Sequence, residues 1–306
     1  MAITNALTVD VEDYFHVSAF SNHIDRSQWD GYSCRVETNT RNLLGMFDQA
    51  GVKATFFVLG WVAERYPALV SEIDANGHEV ACHGYSHELV YRQTPELFRD
   101  ESRRSKAVLE DIIQKPVKGY RAASYSITAK STWALDILAE LGFRYDSSIF
   151  PVRHDRYGMP GAQREPHVLK TPAGHSLVEF PLSTFQALRY RLPVSGGGYF
   201  RLFPYWFTRY ALGRINSKEQ LPFIFYLHPW EIDPGQPRVQ AGMVSRFRHY
   251  QNLDRCQPRL TALLRDFSFN TAEHVLTGMG LFTASGDTVA QSSNLSPPAR
   301  VAGVDR

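Results

Sequence analysis

The feature that most limits what this chain can fold into is a recurring unit: a short apolar run, a polar residue at its end, an amphipathic helix, and a glycine that stops the helix. Residues 6–11 (ALTVDV) are apolar and β-prone and read as a buried strand ending in carboxylates. Residues 38–50 carry Leu43, Leu44 and Phe47 at helical spacing, Gly51 ends that helix, and residues 53–59 (KATFFVL) form the next strand. The pattern repeats as a helix over 66–76 stopped by Gly77, a strand over 78–82 (HEVAC), and a long amphipathic helix over 95–114 with Pro95 in its first turn. A short strand over 118–121 and a helix over 128–141 ending at Gly142 follow, and residues 223–227 (FIFYL) make a late core strand that stops at His228. Such alternation predicts an α/β architecture with a parallel sheet, open or closed into a barrel.

Parallel sheets of this kind gather functional side chains at the ends of their strands. Here those ends supply the acidic run Asp10-Val11-Glu12-Asp13, then His83 and His87, Arg121, and His228. Two imidazoles four residues apart can reach one ion from a single helical turn, and a carboxylate from a strand end completes a three-ligand set with one position open, the arrangement of a catalytic site. Strand alternation puts Asp10 and Glu12 on one face, whereas a turn beginning at Glu12 swings Asp13 inward, so either Glu12 or Asp13 can complete the set. Cys82 sits beside His83 but points to the opposite face of its strand, as a buried thiol.

Composition removes several function classes. With 306 residues the chain can bury a large core, and a net charge of +2 gives no electrostatic argument for nucleic acid or an anionic membrane. No segment reaches the roughly 18 uninterrupted apolar residues a membrane span needs, and the N-terminus has no cationic stretch followed by an apolar run. We therefore expect a cytoplasmic protein, with the inner face of the membrane as a possible site of action. The three cysteines, Cys34, Cys82 and Cys256, are too scattered for a disulfide framework.

Residues 151–198 are rich in Gly, Pro and Arg and break the alternation as an irregular insertion or hairpin region. A Pro-studded stretch follows His228, then an amphipathic helix around 259–267, and the Ser, Ala and Pro-rich residues from about 284 lack periodicity and read as a disordered tail. The expected organisation is a catalytic domain over 1–230, an extension packed on it over 231–283, and the tail over 284–306.

Taken together, Thr8-Val-Asp-Val-Glu-Asp13, His83-Gly-Tyr-Ser-His87, Arg121-Ala-Ala-Ser-Tyr125, Asp146-Ser-Ser148 and Leu227-His228-Pro229 resemble, in order and approximate spacing, the NodB-like polysaccharide deacetylases of carbohydrate esterase family four. The start (DVEDYFH) and the Leu-His-Pro-Trp-Glu-Ile-Asp-Pro segment are similar to deacetylases of exosortase-associated exopolysaccharide loci, which carry a C-terminal extension. The resemblance implies a distorted (β/α) barrel of about seven strands, a divalent metal, most often Zn2+, and removal of N-acetyl groups from N-acetylhexosamine units of an exopolysaccharide or its precursor.

It further implies Asp10 as general base, Asp13, His83 and His87 as ligands, and Arg121 as the partner that keeps Asp10 ionised, its loss harming catalysis more than folding. Glu12 is the alternative ligand and otherwise joins the catalytic carboxylates. His228 protonates the leaving amine, with Asp146 orienting it or another site group, and Tyr125 shapes an oxyanion pocket. The family's prolines after the arginine are replaced by Ala122-Ala123-Ser124. Tyr14, Phe15, Tyr199, Phe200, Trp206 and, first among them, Trp230 are candidates to stack on sugar rings. Two other readings stay open: an allantoinase-like or other amide hydrolase on the same fold, and a degenerate barrel serving as a glycan-binding subunit.

Overall fold

The computed structural model describes residues 3–154 and 156–282. The expected tail therefore lies outside the described residues. Eleven strands are present among them: β1 (Thr4–Val11), β2 (Thr55–Val58), β3 (Glu79–Cys82), β4 (Gly119–Tyr120), β5 (Tyr145–Asp146), β6 (His167–Lys170), β7 (Ser176–Glu179), β8 (Thr184–Ala187), β9 (Tyr190–Pro193), β10 (Ile224–Leu227) and β11 (Ser268–Asn270). Ten α-helices accompany them: α1 (Val36–Ala50), α2 (Gly60–Arg65), α3 (Pro67–Ala75), α4 (Pro95–Ile113), α5 (Trp133–Glu140), α6 (Gly197–Leu202), α7 (Tyr205–Arg214), α8 (Met243–Tyr250), α9 (Leu253–Asp266) and α10 (Ala272–Gly278).

The main sheet runs in the order β10-β1-β2-β3-β4-β5-β7-β6, and its first seven strands are parallel. β6 runs antiparallel at the far edge, and β11 pairs with the N-terminal half of β1. The architecture is the α/β one expected. The two ends of the sheet are joined without a strand ladder: Ile224 N donates to Ser183 Oγ (2.9 Å), and Tyr226 N to the Ser195 carbonyl (2.7 Å).

Alternation along β1 divides the core. Leu7, Val9 and Val11 pack outward against the helices, while Ala6 faces an inner cluster with Phe57, Ala81, Tyr145, Val178 and Ile224. The same alternation points Thr8 and Asp10 inward. Register then sets their neighbours: Val9 pairs with Leu227, Val58 with Cys82, and Cys82 with Tyr120. The residues that follow these pairs, Asp10, His228, His83 and Arg121, consequently emerge at the same C-terminal edge of the sheet.

Three departures from the expected elements have local causes. The region 151–198 is less irregular than its composition suggests, because Ser176–Glu179 joins the main sheet beside β5 and residues 184–193 form a separate hairpin. Those strands are only four residues long and flanked by Gly and Pro, too short for a visible period. The helices α2, α6, α7, α8 and α10 were not foreseen; α2 and α6 have six residues each, and the apolar residues of α8 are exposed, so its face does not read as a core-facing helix. Residues beyond 231 are tied into the sheet through β11, and α9 and α10 pack on it.

Candidate active site

The acidic run divides its labour at the end of β1. Asp10 and Glu12 face the interior, but Asp13 is turned away and holds the start of α1: its Oδ2 accepts from Val36 N (2.7 Å), Arg35 N and the Cys34 thiol (3.1 Å), and its Oδ1 from Tyr14 N (2.8 Å). The structure thus places Glu12, not Asp13, with the histidines, against the expectation for Asp13. The reason is that β1 ends at Val11, Glu12 N turns back to the Asp10 carbonyl (2.9 Å), and Asp13 is drawn off by the backbone donors that open α1. One donor atom each from Glu12, His83 and His87 lies within 4.8 Å of the others, all three residues buried.

The histidines do not sit on a helical turn. They occupy the loop after β3, and His87 reaches back toward His83 because its backbone adopts a left-handed φ of 52°, an uncommon state for a residue with a Cβ. The His83 Nδ1 lies 2.8 Å from the Arg121 carbonyl, which, with Nδ1 protonated, leaves the Nε2 lone pair for an ion. Burial lowers the His83 pKa to about 4, partly offset by Asp10, so the ring is neutral as a ligand must be. Glu12 Oε2 is buried and makes no hydrogen bond, although His87 Nε2 is 2.7 Å away. That orphaned oxygen, converging with two imidazoles, fits a divalent cation. Burial works against the Glu12 charge, but His87 and His228 outweigh it and hold the carboxyl well below its usual range.

Two flanking pairs complete the cluster. On one side Arg121, fully buried, gives Nη1 to Asp10 Oδ1 (2.7 Å) and Thr8 Oγ1 (2.8 Å), Nε to the Ser147 carbonyl (3.1 Å) and Nη2 to Ser147 Oγ (2.9 Å). The guanidinium lies 4.1 Å over the Phe57 ring. It is part of the buried interior as much as of the site, so its loss is expected to cost folding as well as catalysis. On the other side His228 Nε2 lies 3.4 Å from Glu12 Oε1 and 3.9 Å from Asp10 Oδ2, and its Nδ1 is 3.1 Å from Glu231 Oε2. Burial opposes charge on His228, but Glu12 and the Glu231 hydrogen bond prevail and push its pKa up to about 9.

Glu231 and its partner Arg201 are what sequence reading missed. The buried Arg201 Nε donates to Glu231 Oε1 (2.7 Å) and its Nη1 to the carbonyls of His249 (2.7 Å) and Gln251 (2.9 Å). The signal for Glu231 was present: a carboxylate three residues after His228, across a proline, forms a capping box in which its Oε2 also accepts His228 N (3.0 Å). Nothing in sequence pointed to Arg201. Glu231, not Asp146, partners His228, and Asp146 is absent from the cavity wall. Asp146 instead binds Ser148 Oγ (2.6 Å), whose oxygen accepts Ala122 N (2.8 Å), and so braces the segment that presents Arg121. Burial raises the pKa of Asp146 and of the adjacent Glu179.

Of the aromatic candidates, Tyr14, Phe15 and Phe200 are core residues, and Trp206 is exposed away from the site. Trp230 is 4% exposed, its ring stacked with His228 (5.0 Å) and His249 (4.1 Å) while Nε1 donates to Glu12 Oε1 (3.3 Å), so it positions Glu12 instead of offering a face to a sugar. The Tyr125 amide is taken by the Ala122 carbonyl (3.0 Å), leaving its hydroxyl, 3.5 Å from Asp10 Oδ2, as its polar contribution to the cavity. Tyr199 lines the same cavity, whose volume is about 640 Å³. Gly196, at φ 130°, lets the chain pass against the Tyr226 carbonyl, where a Cβ would clash.

The chain has relatives among known proteins. Residues 29–145 match the polysaccharide deacetylase family, and residues 147–277 match a domain of unknown function, DUF3473. The chain thus carries a segment similar to the polysaccharide deacetylases. It is 31% identical over 113 residues to a peptidoglycan deacetylase of Helicobacter pylori, covering 37% of this chain and 38% of that one. It is 31% identical over 100 residues to a chitooligosaccharide deacetylase of Bradyrhizobium sp., covering 33% and 43% of the two. Matches to curated relatives thus span half of their length or less, apart from 52% of a Bacillus cereus peptidoglycan-N-acetylglucosamine deacetylase at 26% identity. A crystal structure named for a polysaccharide deacetylase of Mycobacterium smegmatis covers 96% of this chain and 95% of its own, with a TM-score of 0.58 and 22% identity, and so shares the fold. The deacetylase match begins after the strand that carries Asp10 and Glu12 and includes His83, His87 and Arg121. No helix among the described residues is long and apolar enough to cross a membrane.

If Glu231 holds His228 charged, Glu231→Gln lowers kcat by about 10 to 100-fold, the range seen when an outer-shell partner is lost. The alkaline limb of the rate profile also moves to lower pH, because the acid then loses its proton sooner. An unchanged alkaline limb would show that Glu231 only supports the fold.

Proposed function

We propose that the protein is a metal-dependent hydrolase that removes the acetyl group from N-acetylhexosamine units of an exopolysaccharide or its precursor. The observation that carries this reading is the convergence of Glu12, His83 and His87 between an Asp10–Arg121 pair on one flank and a His228–Glu231 pair on the other. The family match and relatives named as peptidoglycan and chitooligosaccharide deacetylases support the same class of substrate.

A divalent ion held by Glu12, His83 and His87, with zinc the best fit to two imidazoles and a carboxylate, would supply Lewis acidity toward water and the acetamide carbonyl. The chain's own groups do the rest. Asp10, with Oδ1 held by Arg121, keeps Oδ2 to accept a proton from the attacking water. Tyr125 faces that oxygen with a hydroxyl whose pKa is raised by burial, so it remains a donor. His228 carries the proton the departing amine needs, and Glu231, itself paired with Arg201, keeps that ring charged and oriented.

The test is acetate release from chito-oligosaccharides by zinc-loaded protein, with chelator and Asp10→Asn as controls. Turnover abolished by chelation and reduced by about 10²–10⁴-fold in Asp10→Asn is expected. Tight glycan binding without acetate release would favour the binding-subunit reading, and turnover confined to small cyclic amides would favour the allantoinase-like one.

A further inference from the structure

The catalytic cluster forms the floor of a cleft whose outer wall does not suit a sugar chain. Leu202 from α6 and Met243, Val244 and Phe247 from α8 line it, and they are 46%, 86%, 65% and 60% exposed. Positions 243, 244 and 247 share one helix face, so the three make a continuous apolar stripe leading down to the cavity. α8 is not loosely attached. Arg201, the residue that holds Glu231, also binds the Arg248 and His249 carbonyls near its end, so the stripe is fixed in place relative to His228.

Among the described residues, charge in the cleft is one-sided: the acidic lining residues are Asp10 and Glu12, both committed to the catalytic cluster, while Arg156 and Arg248 also line it and have no carboxylate partner. Between floor and rim stand the Tyr125, Tyr157 and Tyr199 rings, with the Tyr157 and Tyr199 hydroxyls 3.4 Å apart. A polysaccharide would leave the four apolar rim residues against water and the two arginines unmatched.

Resting on the deacetylase reading, we infer that the substrate is amphiphilic: an N-acetylhexosamine joined through phosphate to a hydrocarbon chain. The acetamide lies at the cluster, the phosphate between Arg156 and Arg248, and the chain along Leu202, Met243, Val244 and Phe247. The reaction balances as simple hydrolysis, water adding across the amide C–N bond to release acetate and leave an amine on the lipid-linked sugar.

The test compares kcat/KM of the zinc-loaded protein for farnesyl-diphosphate-linked N-acetylglucosamine and for tri-N-acetylchitotriose, with N-acetylglucosamine 1-phosphate as the phosphate-only probe. The lipid-linked substrate is expected to be preferred by about 100-fold or more, since each methylene moved from water to the cleft wall strengthens binding severalfold. Phe247→Asp and Arg248→Glu each reduce that ratio, and the ratio is insensitive to partial loss of folded protein. Equal kcat/KM for the lipid-linked and soluble glycans overturns this inference and leaves the deacetylase standing, whereas turnover of none overturns both. A dimer that Phe247→Asp dissociates without changing the ratio would assign the stripe to self-association and overturn the lipid assignment.

Discussion

Glu12→Ala protein, purified and dialysed against zinc, retains essentially no ion, and its turnover falls on the order of 10³-fold or more, the scale set by losing several kcal/mol of Lewis-acid stabilisation. Asp13→Ala treated identically keeps the ion and loses stability. The two neighbours differ because of where their oxygens point. Glu12 Oε2 lacks a hydrogen bond and converges with His83 and His87, whereas both Asp13 oxygens are saturated by the backbone of residues 14, 35 and 36 and by Cys34. Removing the Asp13 carboxylate strands buried N–H donors, a cost of about 1–3 kcal/mol visible as a lower denaturation midpoint. Elemental analysis and urea melts of both variants decide the matter. An ion lost from Asp13→Ala but kept by Glu12→Ala would reverse the ligand assignment.

Arg121→Met is expected to lower stability by about 3–5 kcal/mol, because it leaves the Asp10 carboxylate buried without its cation. Thr8 Oγ1, the Ser147 carbonyl and Ser147 Oγ lose their partner in the same step. Activity falls with it, since Asp10 is then no longer aimed by its Arg121 hydrogen bond. A second substitution separates the two effects. In Arg121→Met/Asp10→Asn the buried charge is gone, so part of the stability returns while turnover stays absent, a coupling that a double-mutant cycle on melting data measures directly. Equal instability of the single and double variants would mean that Arg121 contributes through packing on Phe57 and not through Asp10.

The chain's own pattern determined the alternation of strands and helices, the parallel sheet, and the strand ends at Asp10, His83, Arg121 and His228, because a period of two or of 3.6 residues is a local property visible in any window. Motif order also carried the family. What local pattern could not supply was direction and partnership. The turn after β1 that leaves Glu12 inside and Asp13 on the start of α1, the left-handed backbone of His87, and the exclusion of Asp146 from the cavity depend on packing against elements far away in sequence. Arg201 is the clearest instance: thirty residues before Glu231 in a stretch of aromatic and glycine residues, it becomes a buried counter-charge only when α6 is laid against the loop after β10. Likewise Met243, Val244 and Phe247 are unremarkable apolar residues in sequence. Only the fold sets them beside the catalytic cleft with no element among the described residues covering them, because whether an apolar side chain is core or surface is decided by what packs over it, and that is information no single segment contains.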